Sequence, residues 1–308
     1  MSLVYDAHRR VHVRAPGKLN LFFEVGDAGD DGYHEVASLY QAVSLYEDVW
    51  ATHGDDFTIG VSGDVDVSTV PLDGRNLAVR AAQLVTRAAD WDGGIHLDIH
   101  KGVPVAGGMG GGSADAAAAL VAVNELIGAG LSSAELQELG AQLGADVPFA
   151  LLGGTAVGTG RGDELAPALA RGRFDWVLVR SDGGLSTPDV YRELDRLRAE
   201  ADITPDRAAP AVDPAVLRAL RSGDAADLGA AIRNDLELAA TTLMPSLSGV
   251  LAAGIREGAL GALVSGSGPT VALLAQDDEA GRSLAARLGD AGLHAVHVHG
   301  PVPGARLV

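Results

Sequence analysis

The sequence predicts an α+β fold divided into two domains. Three observations carry this: apolar residues alternate with a strand period in the first hundred positions, alanine-rich helical runs are interleaved with such strands, and a turn-rich interval between Gly153 and Phe174 offers a boundary. With 308 residues, 47% of them hydrophobic and 21% charged, the chain can bury a substantial core.

VHVRAPGKLNLFFEV, Val11 to Val25, sets Leu19, Leu21, Phe23 and Val25 on alternate positions, as in a half-buried strand. Lys18 and Asn20 then share the other face, about 6.6 Å apart, so both side chains can address one ligand. The turn-rich DAGDDGYHEV leads to two further strands, SLYQAVSLYEDVWATH and FTIGVSG. RNLAVRAAQLVTRAAD reads as a helix capped by Asn76, and GIHLDIHKGVPV as a strand with Ile95, Leu97 and Ile99 inward.

From Ser113 the pattern becomes a helix ending near Gly128. The next helix opens at Ser132, three residues before Glu135, which is a capping-box spacing, and ends at Gly144. Ala145 to Pro148 is then expected as a post-helical loop, and GGTAVGTGRGDEL as a short strand and turn. The second half holds a strand WVLVR, a helix from Thr187 with Pro188 in its first turn, the Pro/Ala-rich loop ITPDRAAPAVDP and helical segments. It closes with ALVSGSGPTVALLA as two strands around a tight turn, then a helix and the strand HAVHVHG.

The formal net charge is −18, which disfavours nucleic acid and anionic membrane as partners and requires any phosphate ligand to be held by local donors. Cysteine is absent, the first ten residues carry no apolar signal core, and no apolar run approaches a membrane span. A soluble, cytoplasmic protein is expected. The basic residues are 21 arginines and two lysines, Lys18 and Lys101, in a background rich in Ala, Gly and Arg. A compact ammonium is not interchangeable with a planar guanidinium, so both lysines stand out.

PVAGGMGGGSADAAAAL, Pro104 to Leu120, crowds five glycines into the positions from Gly107 to Gly112 and runs into a helix. Glycines let consecutive backbone N–H groups converge on an anion, and the helix start adds unpaired amides and its positive dipole end. The stretch is therefore expected to cradle phosphate. It matches neither GxxxxGK[ST] nor GxGxxG, which sets aside a P-loop and a dinucleotide fold.

This stretch resembles the central signature of the GHMP kinases, the family of galactokinase, homoserine kinase and mevalonate kinase. APGKLNLFFEV and LVSGSGPTVALL stand where that family has its other two signatures, so the resemblance spans nearly the whole chain. It implies a two-domain GHMP kinase fold: an N-terminal domain like ribosomal protein S5 domain 2, residues 1–165, and a C-terminal ferredoxin-like α/β sandwich, residues 166–308. ATP and Mg²⁺ are implied as cofactors, with Pro104, Val105, Ala106, Gly107, Gly108, Met109, Gly110, Gly111, Gly112, Ser113 and Ala114 binding the nucleotide.

Asp146, in LGADVPFAL, matches the family's catalytic base and Lys18 its electrostatic partner. Together with PGKLNL, the motifs DGYHEV and LGADVPFAL are similar to members that act on a cytidine diphosphate-linked polyol. Tyr33 and His34 then resemble the cytosine-recognising pair, with Thr187 and Tyr191 of STPDVY as the far wall and Asn20 at the polyol. Asn76 and Lys101 either border the adenine or serve as a helix cap and a strand-end lysine. No carboxylate pair stands out as a magnesium site, and Ser113 is the candidate ligand. Two alternatives remain at this level: a GHMP kinase acting on mevalonate, homoserine or a sugar, which needs no nucleobase pocket, and a catalytically silent nucleotide-binding protein, disfavoured by the presence of both Lys18 and Asp146.

Overall fold

The computed structural model describes residues 9–29, 32–181, 183–203 and 209–308. The first eight residues, Asp31 of DGYHEV and residues 204–208 of the Pro/Ala-rich loop lie outside them. The chain opens with β1 (Arg10–Ala28), β2 (His34–Gly54), β3 (Thr58–Gly63), α1 (Leu77–Ala88), β4 (Gly94–Lys101), α2 (Gly111–Ile127), α3 (Ser133–Ala141), α4 (Asp146–Leu152), β5 (Thr155–Thr159) and β6 (Glu164–Pro167). It continues with β7 (Phe174–Arg180), α5 (Thr187–Glu200), α6 (Pro214–Ser222), α7 (Ala225–Ala231), β8 (Arg233–Asn234), α8 (Glu237–Leu243) and α9 (Ser246–Arg256). It ends with β9 (Gly261–Val264), β10 (Val271–Ala275), α10 (Asp278–Asp290), β11 (His294–Gly300) and β12 (Arg306–Leu307).

One sheet runs β12-β1-β2-β4-β3, with β5 on β2, β6 on β5 and β8 alongside β1. The other runs β11-β7-β10-β9, antiparallel throughout. The expected division between residues 165 and 166 falls inside β6, and β8 and β12 return the later half of the chain to the first sheet.

β1 departs from the half-buried strand its alternation suggests: it is buried without a break from Ala15 to Phe23. The reason is cover on both faces. Val11, Val13 and Ala15 pack with α1 and α2, while Leu19, Leu21 and Phe22 share a core with Trp176, Leu178 and Leu263 of the second sheet. The Trp176 indole N–H donates to Gln41 Oε1 at 3.0 Å, a polar tie between the two sheets. α2 is buried around most of its girth because alanines such as Ala116 to Ala119 let it lie close to β1, β2 and α1.

Local signals decided several boundaries. Asn76 caps α1 by accepting from the Ala78 N–H, and Ser132 with Glu135 forms the expected capping box of α3. Three expectations are corrected. β2 begins already at His34, so HEV belongs to a strand and not to the loop. α3 ends at Ala141, and Ala145 to Pro148 is no loop: Asp146 opens α4. Pro148 sits in the first turn, where its missing N–H costs nothing, and buried Val147 and Phe149 draw the segment into the core. α5, by contrast, starts at Thr187 with Pro188 in its first turn as expected, its N-cap position being Ser186. Finally, β9 and β10 are joined by the whole of Ser265 to Thr270, closed by the Ser265 N–H donating to Thr270 O at 2.9 Å, which is wider than a two-residue hairpin turn. Among the described residues, no helix is long and apolar enough to cross a membrane.

Candidate active site

The glycine-rich loop connects β4 to the N-terminus of α2. Ala106, Gly108 and Gly110 adopt positive φ values of 54°, 75° and 69°. Several of the glycines are required by the protein itself. A Cβ on Gly108 would lie 2.4 Å from Ser265 O, and one on Gly111 would lie 2.9 Å from Glu47 Oε1. Gly112 is different, since its nearest neighbour would be Leu77 Cδ1 at 3.8 Å. The SGSGPT connection thus packs directly on the loop, and the Thr270 N–H donates to Gly107 O at 3.4 Å.

Two cavities flank this loop and share Gly108 and Gly110 in their walls. The first, about 390 Å³, is lined by Asn76, Lys101, Asp115, Pro104 to Gly108 and Gly110 to Gly112. The second, about 380 Å³, brings together Lys18, Asn20, Ser113, Asp146, Thr187 and Tyr191 from both halves of the chain. Met109 and Ala114 have fully buried side chains, and Met109 O accepts from the Lys18 N–H at 3.0 Å.

In the second cavity, Lys18 and Asn20 do share a face of β1: Lys18 Nζ donates to Asn20 Oδ1 at 2.6 Å. Asn20 is fixed in turn, its Nδ2 donating to Ser38 Oγ at 2.8 Å. Asp146 Oδ2 stands 3.8 Å from Lys18 Nζ, an ion pair with room for a third group. The Asp146 carboxylate lies in the first turn of α4, where the helix dipole favours its charge. Lys18 Nζ also sits 5.4 Å from the centre of the Tyr40 ring. Burial first, and the Asp146 charge second, push the Tyr40 phenol up and raise Tyr191 to about 12, so both stay neutral beside Asp146.

The expected base-recognising residues are arranged in a chain. The His34 and Tyr191 rings lie 5.1 Å apart, and His34 Nε2 is 2.8 Å from Asp195 Oδ1. Tyr191 and Thr187 line the cavity, with Thr187 Oγ1 sharing a 2.9 Å hydrogen bond with Ser267 Oγ. Tyr33 is 60% exposed and carries the Arg161 guanidinium 4.1 Å from its ring centre; Arg161, not Tyr33, lines the cavity.

In the first cavity, Lys101 is almost wholly buried between Glu47 Oε1 at 2.5 Å and Asp115 Oδ2 at 2.6 Å. Glu47 Oε2 also accepts from the Gly102 N–H at 3.0 Å. Burial, then the neighbouring Asp115 charge, push Glu47 up to about 8 in spite of Lys101, and burial raises Asp115 as well. The strand-end lysine therefore closes an ionic cluster directly under Gly111.

Sequence reasoning missed Tyr40, Arg161, Glu47 and Asp115. Tyr40 had one signal, its cross-strand pairing with Asn20, which becomes visible only once the β1–β2 register is known. As for a metal, the described residues hold one trio of potential ligands, Asp175, Asp278 and His297, and Arg173 already donates to both of its carboxylates. It lies outside the walls of either cavity.

A glycine cradle at a helix N-terminus, set between two cavities and facing a lysine–aspartate pair, defines a small-molecule kinase. Residues 76–154 match the model of the GHMP kinases N terminal domain and residues 216–294 that of the GHMP kinases C terminal domain. The chain belongs to the GHMP kinase family. It is 56% identical, over 98% of its length and 96% of the relative's, to the 4-diphosphocytidyl-2-C-methyl-D-erythritol kinase of Arthrobacter sp. (strain FB24). A crystal structure of 4-(cytidine 5′-diphospho)-2C-methyl-D-erythritol kinase superposes with a TM-score of 0.75 at 34% identity, covering 94% of this chain and 98% of that one. A homoserine kinase from Cytophaga hutchinsonii has the same fold, with a TM-score of 0.74 at 17% identity and full coverage of both chains.

Proposed function

We infer that the chain transfers the γ-phosphoryl group of ATP to the 2-hydroxyl of 4-diphosphocytidyl-2-C-methyl-D-erythritol, a step of the non-mevalonate isoprenoid pathway. The observation that carries this is the meeting of Lys18 and Asp146 beside Gly110, where the two cavities adjoin, in a chain so similar to a kinase of that name. Phosphoryl transfer asks little covalent work of a protein beyond positioning, charge neutralisation and orientation of the attacking hydroxyl.

In this reading the N-terminal unit, residues 1–165, supplies the glycine loop, Lys18 and Asp146, and the C-terminal unit, residues 166–308, completes the acceptor pocket. The loop amides and the start of α2 hold the phosphates in the first cavity, whose wall is completed by Asn76, the cap of α1, and by Lys101 in its carboxylate cluster. Asp146 takes the hydroxyl proton, and Lys18, aimed by Asn20, offsets the negative charge that develops. Tyr191, backed by His34, offers a ring face for cytosine, with Thr187 beside it and Tyr33 at the rim. Magnesium, when bound, neutralises triphosphate charge, and the Ser113 hydroxyl, which lines the acceptor cavity beside the loop, is the residue that would hold it.

ATP consumption measured in parallel with 4-diphosphocytidyl-2-C-methyl-D-erythritol, mevalonate and homoserine tests the acceptor. Turnover is expected with the first; turnover confined to either of the others overturns it. The donor side has its own test at Gly112, where the protein leaves room for a methyl group. Gly112→Ala is expected to keep or raise stability by roughly 0.5–1 kcal/mol, as Ala does within helices. It should nonetheless raise the KM for ATP about tenfold, a loss of about 1.4 kcal/mol. Unchanged ATP kinetics would mean that the nucleotide does not approach that backbone.

A further inference from the structure

β8 is a strand of two residues, Arg233 and Asn234, set beside Phe22 and Phe23 of β1. Asn234 is buried, and all the polar atoms of its side chain are engaged. Nδ2 donates to Val264 O and to Gly266 O, both at 2.7 Å, and Oδ1 accepts from the Leu236 N–H at 2.9 Å. Two donors and an acceptor in one plane are what a carboxamide offers; a carboxylate cannot donate, and a hydroxyl has one hydrogen to give.

Two of the residues so joined, Gly266 and Leu236, line the acceptor cavity, and so does Phe23, the partner of Asn234 on β1. Gly266 stands against the reacting end: a Cβ added there would lie 3.0 Å from Asn20 Oδ1 and 3.6 Å from Lys18 Nζ. Its φ of 57° also calls for glycine. The Lys18 ammonium is thus held from three sides, by the 2.6 Å bond to Asn20 Oδ1, by the Tyr40 ring with its centre 5.4 Å away, and by the Gly266 backbone. A lysine stem is flexible, so these walls decide where its charge stands. Two of them follow from the pairing of Asn20 with Tyr40 across β1 and β2. The third belongs to the connection from Ser265 to Thr270, which Asn234 ties down through the Gly266 carbonyl. The same connection seats the glycine loop, where a Cβ on Gly108 would lie 2.9 Å from Gly268 O.

We propose that Asn234 is a positioning residue for phosphoryl transfer: by fixing the Gly266 peptide it keeps Lys18 and Asn20 aligned with Asp146. This goes beyond the reading given above and rests on its assignment of Lys18 and Asp146 as the reacting pair, not on the identity of the acceptor substrate.

The test is a double-mutant cycle in kcat on the full chain, with both substrates varied and a thermal melt beside each protein. Its members are wild type, Asn234→Ser, Asn20→Ala and the double variant. Serine has one hydrogen to give and a shorter reach, so at least one of the two carbonyls is left untied. Misplacing a reacting group by about 1 Å costs up to about 10²-fold, so Asn234→Ser is expected to lower kcat about 10- to 100-fold, with both KM values within about threefold of wild type. The losses should not multiply: in the Asn20→Ala background, Asn234→Ser should lower kcat by no more than about threefold, because the alignment it serves is already gone. If the serine variant does not fold, Asn234→Asp, which is nearly isosteric and keeps the bond from the Leu236 N–H, takes its place with the same expectation. A raised KM for the acceptor substrate at unchanged kcat would make Asn234 a wall of the cavity only, and kcat losses that multiply would make it a general support of the fold; either result overturns the proposal. Full kcat in Asn20→Ala overturns it as well, through the Lys18–Asn20 pair on which the reading above relies, so the two failures are told apart.

Discussion

Asp146→Asn is expected to lower kcat by about 10² to 10⁴ while leaving the KM for ATP near its wild-type value, since general-base assistance contributes on that scale. The substitution is nearly isosteric and removes a proton acceptor from the acceptor cavity, which Asp146 lines, and nothing from the donor cavity, which it does not. The fold should survive. The Asp146 side chain is 32% exposed, its ion pair with Lys18 is long at 3.8 Å, and α4 is anchored by Val147 and Phe149. An asparagine can still orient a hydroxyl but cannot take its proton, so the loss should fall on kcat and not on acceptor binding. Steady-state kinetics with both substrates varied, beside a thermal melt to establish folding, check this. Turnover within about threefold of wild type in a normally folded variant would leave the hydroxyl proton to another group and reduce Asp146 to an electrostatic neighbour of Lys18.

The parts of this site that were legible in the sequence are those set by local periodicity. Lys18 and Asn20 occupy alternate positions on a strand, so their shared face follows from the chain geometry, and the 2.6 Å bond between them is its direct consequence. The caps at Asn76 and Ser132 are equally local. What was not legible depends on long-range pairing. Tyr40 reaches the same cavity because β1 and β2 pair in a register that includes two irregularities before Asn20 and Phe22 are passed. Arg161 reads as one more turn residue until the sheet carries it over Tyr33.

The glycine loop makes the same point from the other side. Its composition announces close approach without saying of what. Ser265 O crowds Gly108 and the Glu47 carboxylate crowds Gly111, while Gly112 is left open toward the cavity. Nor could the two lysines be told apart by rarity. Lys18 is aimed at Asp146 across open space, whereas Lys101 is enclosed by two carboxylates brought from β2 and α2. A census of residue types finds both and assigns neither.

Lys101→Met is expected to destabilise the protein by about 3–5 kcal/mol, because it strands two buried carboxyl groups without their counter-charge. The cluster also makes stability depend on pH in a defined direction. Glu47 is held at about 8 in the folded chain against an ordinary 4.5. A carboxyl raised on folding stabilises fully below its unfolded value, and that contribution is lost as pH rises through the folded one. His53 and His299 are both lowered on folding, chiefly by burial, which adds a rising slope that fades within about one unit above 6.5 and is common to the wild type and to the two variants compared below. Over that background, the Glu47 contribution between pH 6.5 and 8 should fall with rising pH, by up to about 1.4 kcal/mol per pH unit while one proton is retained. Asp115 is raised by burial and pulls the same way. Glu47→Gln does not titrate at that position and should flatten the slope whatever its offset, whereas Lys101→Met should steepen it, since both carboxyls then hold their protons more tightly. Chemical denaturation at pH 6.5, 7.25 and 8 separates the three proteins. A Glu47→Gln slope equal to wild type would show that Glu47 is ionised throughout this range and that the cluster under Gly111 carries its net negative charge without a proton.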